Sequence, residues 1–175
     1  MSAENGSPEF RRMMDRREIS DGPVALEANE AERAALAERF GLIAIHALTA
    51  ELTLEPEGDR IAAKGTLAAD IVQSCAISGD DLPQRIRENI AFTFVPDIAP
   101  AASEEEIELE EGELDEIPYS GIAFDLGEAV AQSLALAIDP YATGPDADTV
   151  REEHDLAEKA PSGPLQDALA KLKKG

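Results

Sequence analysis

Along residues 48–95 apolar and polar positions alternate in three runs separated by turn residues. Leu48, Ala50, Leu52 and Leu54 alternate with Thr49, Glu51, Thr53 and Glu55, the period of two of a strand with one buried face. After Pro56-Glu57-Gly58-Asp59 the apolar positions become Ile61, Ala63, Leu67, Ala69, Ile71, Cys75 and Ile77. Pro56 presets a turn and Gly58 supplies a positive φ, so the two runs are expected to pair as an antiparallel hairpin. A second turn, Ser78-Gly79-Asp80-Asp81, precedes a third run on Ile86, Ile90, Phe92 and Phe94. The pattern predicts a meander with a single apolar face, which cannot stand alone in water and needs cover.

Two capping boxes supply it. Asn29 with Glu32 predicts a helix over 30–40, with Leu36 and Phe40 one turn apart and Gly41 as its left-handed stop. Asp125 with Glu128 predicts a second helix over 126–138, carrying Val130, Leu134, Ile138 and Leu136, and ended by Asp139-Pro140. Short strands are expected at 24–28 and 119–124, and an amino-terminal strand around Phe10, Met13 and Met14. Residues 1–8 are set aside from the fold, and 99–117 read as an acidic loop. Residues 142–163 read as a linker, rich in Pro, Gly, Asp and Glu. Leu165, Ala168, Leu169 and Leu172 then share one face of a tethered helix over 164–174. The predicted class is α+β: a curved antiparallel sheet covered by two helices in one domain over 9–141.

Charge narrows the partners. With 37 acidic against 15 basic residues in 175, the net charge is -22, so the chain as a whole repels phosphate and any RNA contact must be local. The candidates are Arg11, Arg12, Arg16 and Arg17, with Lys171, Lys173 and Lys174 at the other end. The arginines read either as a phosphate-facing patch or as partners of nearby carboxylates. The tract 103–116 holds no basic residue; it is either a solvated insertion or a surface that holds a basic partner. One cysteine excludes a disulfide framework and a thiolate zinc site, which suits a reducing cytoplasm. No apolar run approaches the ~20 residues that span a bilayer, and the amino end lacks the pattern of a signal peptide, so a cytoplasmic location without membrane contact is expected. His46 reads as a half-buried structural histidine. Cys75 reads as a packed side chain, since as a nucleophile it would need a neighbouring base and a lowered pKa.

The order of these pieces resembles a known family. Glu9-Phe10-Arg11, Gln73-Ser74-Cys75, Asp125-Leu126-Gly127-Glu128 leading to Asp139-Pro140-Tyr141, and Leu169-Ala170-Lys171-Leu172-Lys173 are together similar to the YceD proteins of bacteria, the large ribosomal RNA subunit accumulation proteins. The likeness runs from Pro8 to Lys174 and is closest to the single-cysteine branch common in alphaproteobacteria. It implies a non-enzymatic role in accumulation or maturation of 23S rRNA in ribosome biogenesis, with 23S rRNA or a large-subunit precursor as partner and no cofactor. An acidic module that escorts a basic large-subunit ribosomal protein is the alternative. Many members carry Cys-x-x-Cys where this chain has Cys75-Ala76-Ile77-Ser78, so the metal binding that the pair suggests does not carry over. The Pro-Arg frequent in the family after Asp-Pro-Tyr is replaced by Ala142-Thr143.

Overall fold

A computed structural model of the chain describes residues 9–97 and 115–153. The elements in order are β1 (Met13–Asp15), a single 3-10 turn (Arg16–Glu18), β2 (Pro23–Glu27), α1 (Glu30–Phe40), β3 (Ala44–Glu57), β4 (Arg60–Ser74), β5 (Asp81–Pro96), β6 (Glu116–Tyr119), β7 (Ala123–Asp125), α2 (Leu126–Ala137) and α3 (Ala147–Glu153). The main sheet has the order β2-β3-β4-β5-β6, and β1 pairs with β7 in a second, two-stranded sheet. The fold is α+β, as the residue pattern predicts.

The alternation places the core. Leu48, Ala50, Leu52 and Leu54 of β3 and Ile61, Ala63, Leu67, Ala69 and Ile71 of β4 are all buried. The two strands pair antiparallel from Glu57 opposite Arg60 back to Ala44 opposite Val72. Pro56 sits inside β3, opposite Ile61, and the turn is the two residues Gly58-Asp59 alone, with Gly58 at φ 64°. Between Ile45 and Ala47 the register shifts by one residue. This bulge at His46 moves burial from an odd position, Ile45, to the even ones from Leu48 onward. His46 is exposed there, not half-buried in an apolar run. β4 stops at Ser74, so Cys75 and Ile77 belong to the connection and not to the strand. That connection, residues 75–80, is too short for a parallel crossover between the neighbours β4 and β5.

One feature departs from a meander. β6 lies parallel to β5, with Thr93 opposite Glu116 and Pro96 opposite Tyr119. The segment expected as one strand over 119–124 is therefore two, split at Gly121, φ 74°, where β7 leaves to pair with β1.

The helices close the apolar face. α1 starts with the expected reciprocal box, Glu32 N donating to Asn29 Oδ1 at 3.0 Å and Asn29 N to Glu32 Oε2 at 2.8 Å, and ends on Gly41 at φ 66°. It buries Leu36 and Ala37. α2 buries Leu126, Gly127, Ala129, Val130, Ala131 and Leu134, and Phe92, Phe94, Phe124 and Tyr119 belong to the same core. The second box is only half made: Asp125 Oδ1 accepts from Gly127 N and Glu128 N at 3.0 and 3.2 Å, while the Glu128 carboxylate turns to Arg39 at 2.8 and 3.0 Å. Leu136 is 84% exposed. It lies ~200° around the helix from Leu134 at 100° per residue, and so off the covering face.

By compactness the chain separates into one unit of residues up to 73 with 83–139, and another of 74–82 with the chain from 140 on. The second unit contains α3, a seven-residue helix inside the expected linker, with Ala147 buried. Most of the expected acidic loop at 99–117, the end of the linker, and the terminal helix over 164–174 lie outside the described residues. Among the described residues no helix is long and apolar enough to cross a membrane. Leu134→Asp is expected to cost on the order of 4 kcal/mol, through an unpaired carboxylate in the core. Leu136→Asp should stay within about 0.5 kcal/mol, as exposed substitutions do; urea unfolding midpoints of the two variants check the pair.

Candidate functional site

Arg11 and Arg12 precede β1, Arg16 and Arg17 lie in the 3-10 turn, and three of the four meet carboxylates. Arg12 donates to both oxygens of Glu32 at 2.6 and 2.9 Å and to Glu27 O at 2.8 Å, with its guanidinium 4.6 Å from the centre of the Phe10 ring. The side-chain hydrogen bond between them raises the pKa of Arg12 and lowers that of Glu32. Arg17 holds Asp15 through Nε at 3.0 Å and Nη2 at 2.6 Å, which brings the Asp15 carboxyl down to about 2. Arg16 donates to Asp59 and, at 3.5 Å, to Tyr119 Oη. Arg11 is exposed. Lys171, Lys173 and Lys174 lie outside the described residues. Each carboxylate with a lowered pKa supports the fold above the ordinary carboxylate range, and loses that contribution as pH falls through its folded value.

The positions Gln73, Asp125, Leu126, Gly127 and Glu128 gather around the ends of α2, and Pro140 follows in the chain. Asp125 Oδ1 accepts from Arg12 N at 2.8 Å as well as from the first turn of the helix, and Leu126 N donates to Arg12 O at 3.0 Å. Gly127 is pressed on the amino-terminal segment: a Cβ there would stand 2.3 Å from Phe10 O. Glu128 and Glu9 share Arg39, at the last turn of α1. That places opposite charges where the two helix dipoles favour them. At the other end of α2, Gln73 is buried and its Nε2 donates to Asp139 O at 2.8 Å, one residue before Pro140. Gln73, Asp125 and Leu126 thus bond backbone of neighbouring segments, and Glu128 the side chain of Arg39.

Cys75 opens the tight connection after β4. Cys75 N donates to Asp80 O at 2.8 Å and Gly79 N donates back to Cys75 O at 3.0 Å. The buried sulfur accepts from Ser78 N at 3.5 Å and Gly144 N at 3.3 Å. Hydrogen bonds from the Ser78 hydroxyl first, then from the amides of Ser78, Gly144 and Ile77, bring the thiol from 9.0 down to about 6. The expected plain packing is thus joined by a stabilised thiolate, for which the neighbouring Ser78 was a local sign in the sequence and Gly144, 69 residues on, was not. Among the described residues no three His, Cys, Asp or Glu side chains gather as metal ligands would.

A groove of about 530 Å³ runs between α2 and the end of β5. Ile90, Phe92 and Ala129 form part of its floor, and Glu88, Asp115, Glu116 and the exposed Leu136 part of its rim. Residue pattern alone gave no warning of it, because it follows from β6 pairing only with the last residues of β5.

The family described as large ribosomal RNA subunit accumulation protein YceD matches residues 63–174. The chain belongs to this family. The match begins inside β4 and takes in Gln73, Cys75 and the α2 segment, whereas Glu9-Phe10-Arg11 lies ahead of it. Neither a curated protein nor a solved structure matches the chain.

With its folded value near 6 against an ordinary 9.0, the thiol adds stability that is complete above the ordinary value and gone below the folded one. Thiolate absorbance, unambiguous with a single cysteine, is expected to titrate with a midpoint of about 6 and to move upward in Ser78→Ala; a midpoint near the ordinary value in both proteins would refute the arrangement.

Proposed function

We propose that this YceD protein is a non-enzymatic bacterial factor for accumulation or maturation of the large-subunit, 23S, rRNA, working in the cytoplasm during ribosome biogenesis. The observation that carries this reading is the family match over residues 63–174. The single-cysteine, alphaproteobacterial branch suits a chain with Ser78 three residues after its one cysteine. Where rRNA is touched directly, Arg11 and the terminal Lys171, Lys173 and Lys174 are the contacts we propose.

A second reading is favoured by the electrostatics. A net charge of -22, with Arg12, Arg16 and Arg17 already turned to carboxylates of the same chain, suits an acidic module that escorts a basic large-subunit ribosomal protein. A strain lacking the gene is expected to show a lowered ratio of large to small rRNA, restored by the wild-type chain and by Cys75→Ser; an unchanged ratio would sink both readings. Titrating salt against binding to rRNA and to basic ribosomal proteins separates them, because only a phosphate-contacting site loses rRNA affinity steeply as salt rises.

A further inference from the structure

β6 covers only the last residues of β5, from Thr93 to Pro96. From Asp81 to Phe92 that same edge of β5 has no paired strand among the described residues. Thr93 N donates to Asp115 O at 2.9 Å and Asp97 N to Tyr119 O at 2.8 Å, so the odd-numbered amides face β6. The two-residue alternation of a strand then turns the N–H and C=O of Ala91 and Asn89 to the open edge. Beside that edge lies the groove of about 530 Å³, with Ile90 and Phe92 in its floor and Leu136, 84% exposed, at its rim. Glu88, Asp115 and Glu116 line it, and among the described residues no Lys, Arg or His does; Glu116 is shared with Arg60.

We propose that the edge of β5 left unpaired among the described residues and this groove form a docking site for an extended basic peptide, which adds as a strand beside Asn89 and Ala91, seats apolar side chains toward Ile90, Phe92 and Leu136, and sets lysine or arginine against Glu88 and Asp115. Backbone pairing supplies the attachment, alternate side-chain pockets the selectivity, and the acidic rim the choice of a cationic segment. Arg85 and Arg87 lie further back along β5, beside a separate depression, which confines the acidic stretch to the 88–92 end. The biological meaning of the site rests on the reading of the chain as an escort of basic protein, but its binding is measured on the isolated full chain. Loss of peptide binding together with an altered rRNA ratio in the gene deletion would therefore sink this inference and leave the proposed function standing.

The test is fluorescence anisotropy with a short labelled peptide of alternating lysine and valine. A chain of charge -22 draws any polycation, so the deciding probe is the same peptide with alternate amides N-methylated, which keeps the charge and cannot pair. At least about tenfold weaker binding of the methylated peptide is expected; equal binding of the two would overturn the site. Ala91→Pro removes an amide that faces the open edge, where proline is tolerated, and should weaken the unmodified peptide by about tenfold as well. Leu136→Lys, an exposed position whose change does not threaten folding, should weaken it several-fold by like charge. Wild-type affinity in Leu136→Lys would count against the groove. Displacement of the peptide by an equal concentration of single-stranded RNA, or a dimer that Ala91→Pro dissociates, would assign the edge to another occupant and end the proposal.

Discussion

Everything in this molecule follows from a sheet that is apolar on one face and has to be closed. β3, β4 and β5 run 14, 15 and 16 residues, long for strands, and each contributes side chains to one buried layer. α2 closes it mostly with small residues, Gly127, Ala129 and Ala131, together with Val130 and Leu134. A helix so thin admits close neighbours, and at Gly127 the neighbour is the amino-terminal segment, where a Cβ would stand 2.3 Å from Phe10 O. The bulk is returned by the sheet and its surroundings, through Phe94 and Phe124 with ring centres 4.5 Å apart and Phe10 almost fully buried. Close approach also explains why the amino-terminal segment bonds straight to the first turn of α2, with Asp125 holding three amides on one oxygen.

The ion pairs serve the same closure. Arg12 ties the amino-terminal segment to the start of α1, and Arg39 ties the end of α1 to the start of α2. Partly exposed pairs of this kind contribute on the order of 1 kcal/mol or less each, so their role is orientation more than strength. They also spend basic groups in a chain that has few. What remains toward solvent is a surface of strongly negative sign, and such a surface slows encounter with nucleic acid and speeds it with cations.

Much of this was legible in the residues. The buried sets of β3 and β4, the complete box at Asn29 and the cap at Asp125 follow from local periodicity and side-chain chemistry, which a linear reading captures. The rest depended on distant partners. Glu128 was free to reach back to Asp125 until Arg39, 89 residues away, outbid the local amide. The bulge at His46 is invisible to a period of two, because the pattern on each side is regular and only the phase differs. The parallel placement of β6 and the groove beside it have no local sign at all, since they arise from how a long connection returns. Leu136 is as apolar as the covering residues, but its angle around the helix turns it to solvent.

Recognisable kinship starts at residue 63, three residues into β4, yet β4 is hydrogen-bonded along nearly its full length to β3, which lies ahead of that point. The border of the detected likeness therefore falls through the middle of a hairpin, not between folding units. A fragment trimmed to the matched stretch would carry a long naked strand margin and half of an oily layer into water, and would be expected to clump. Anyone shortening this protein should cut ahead of Phe10.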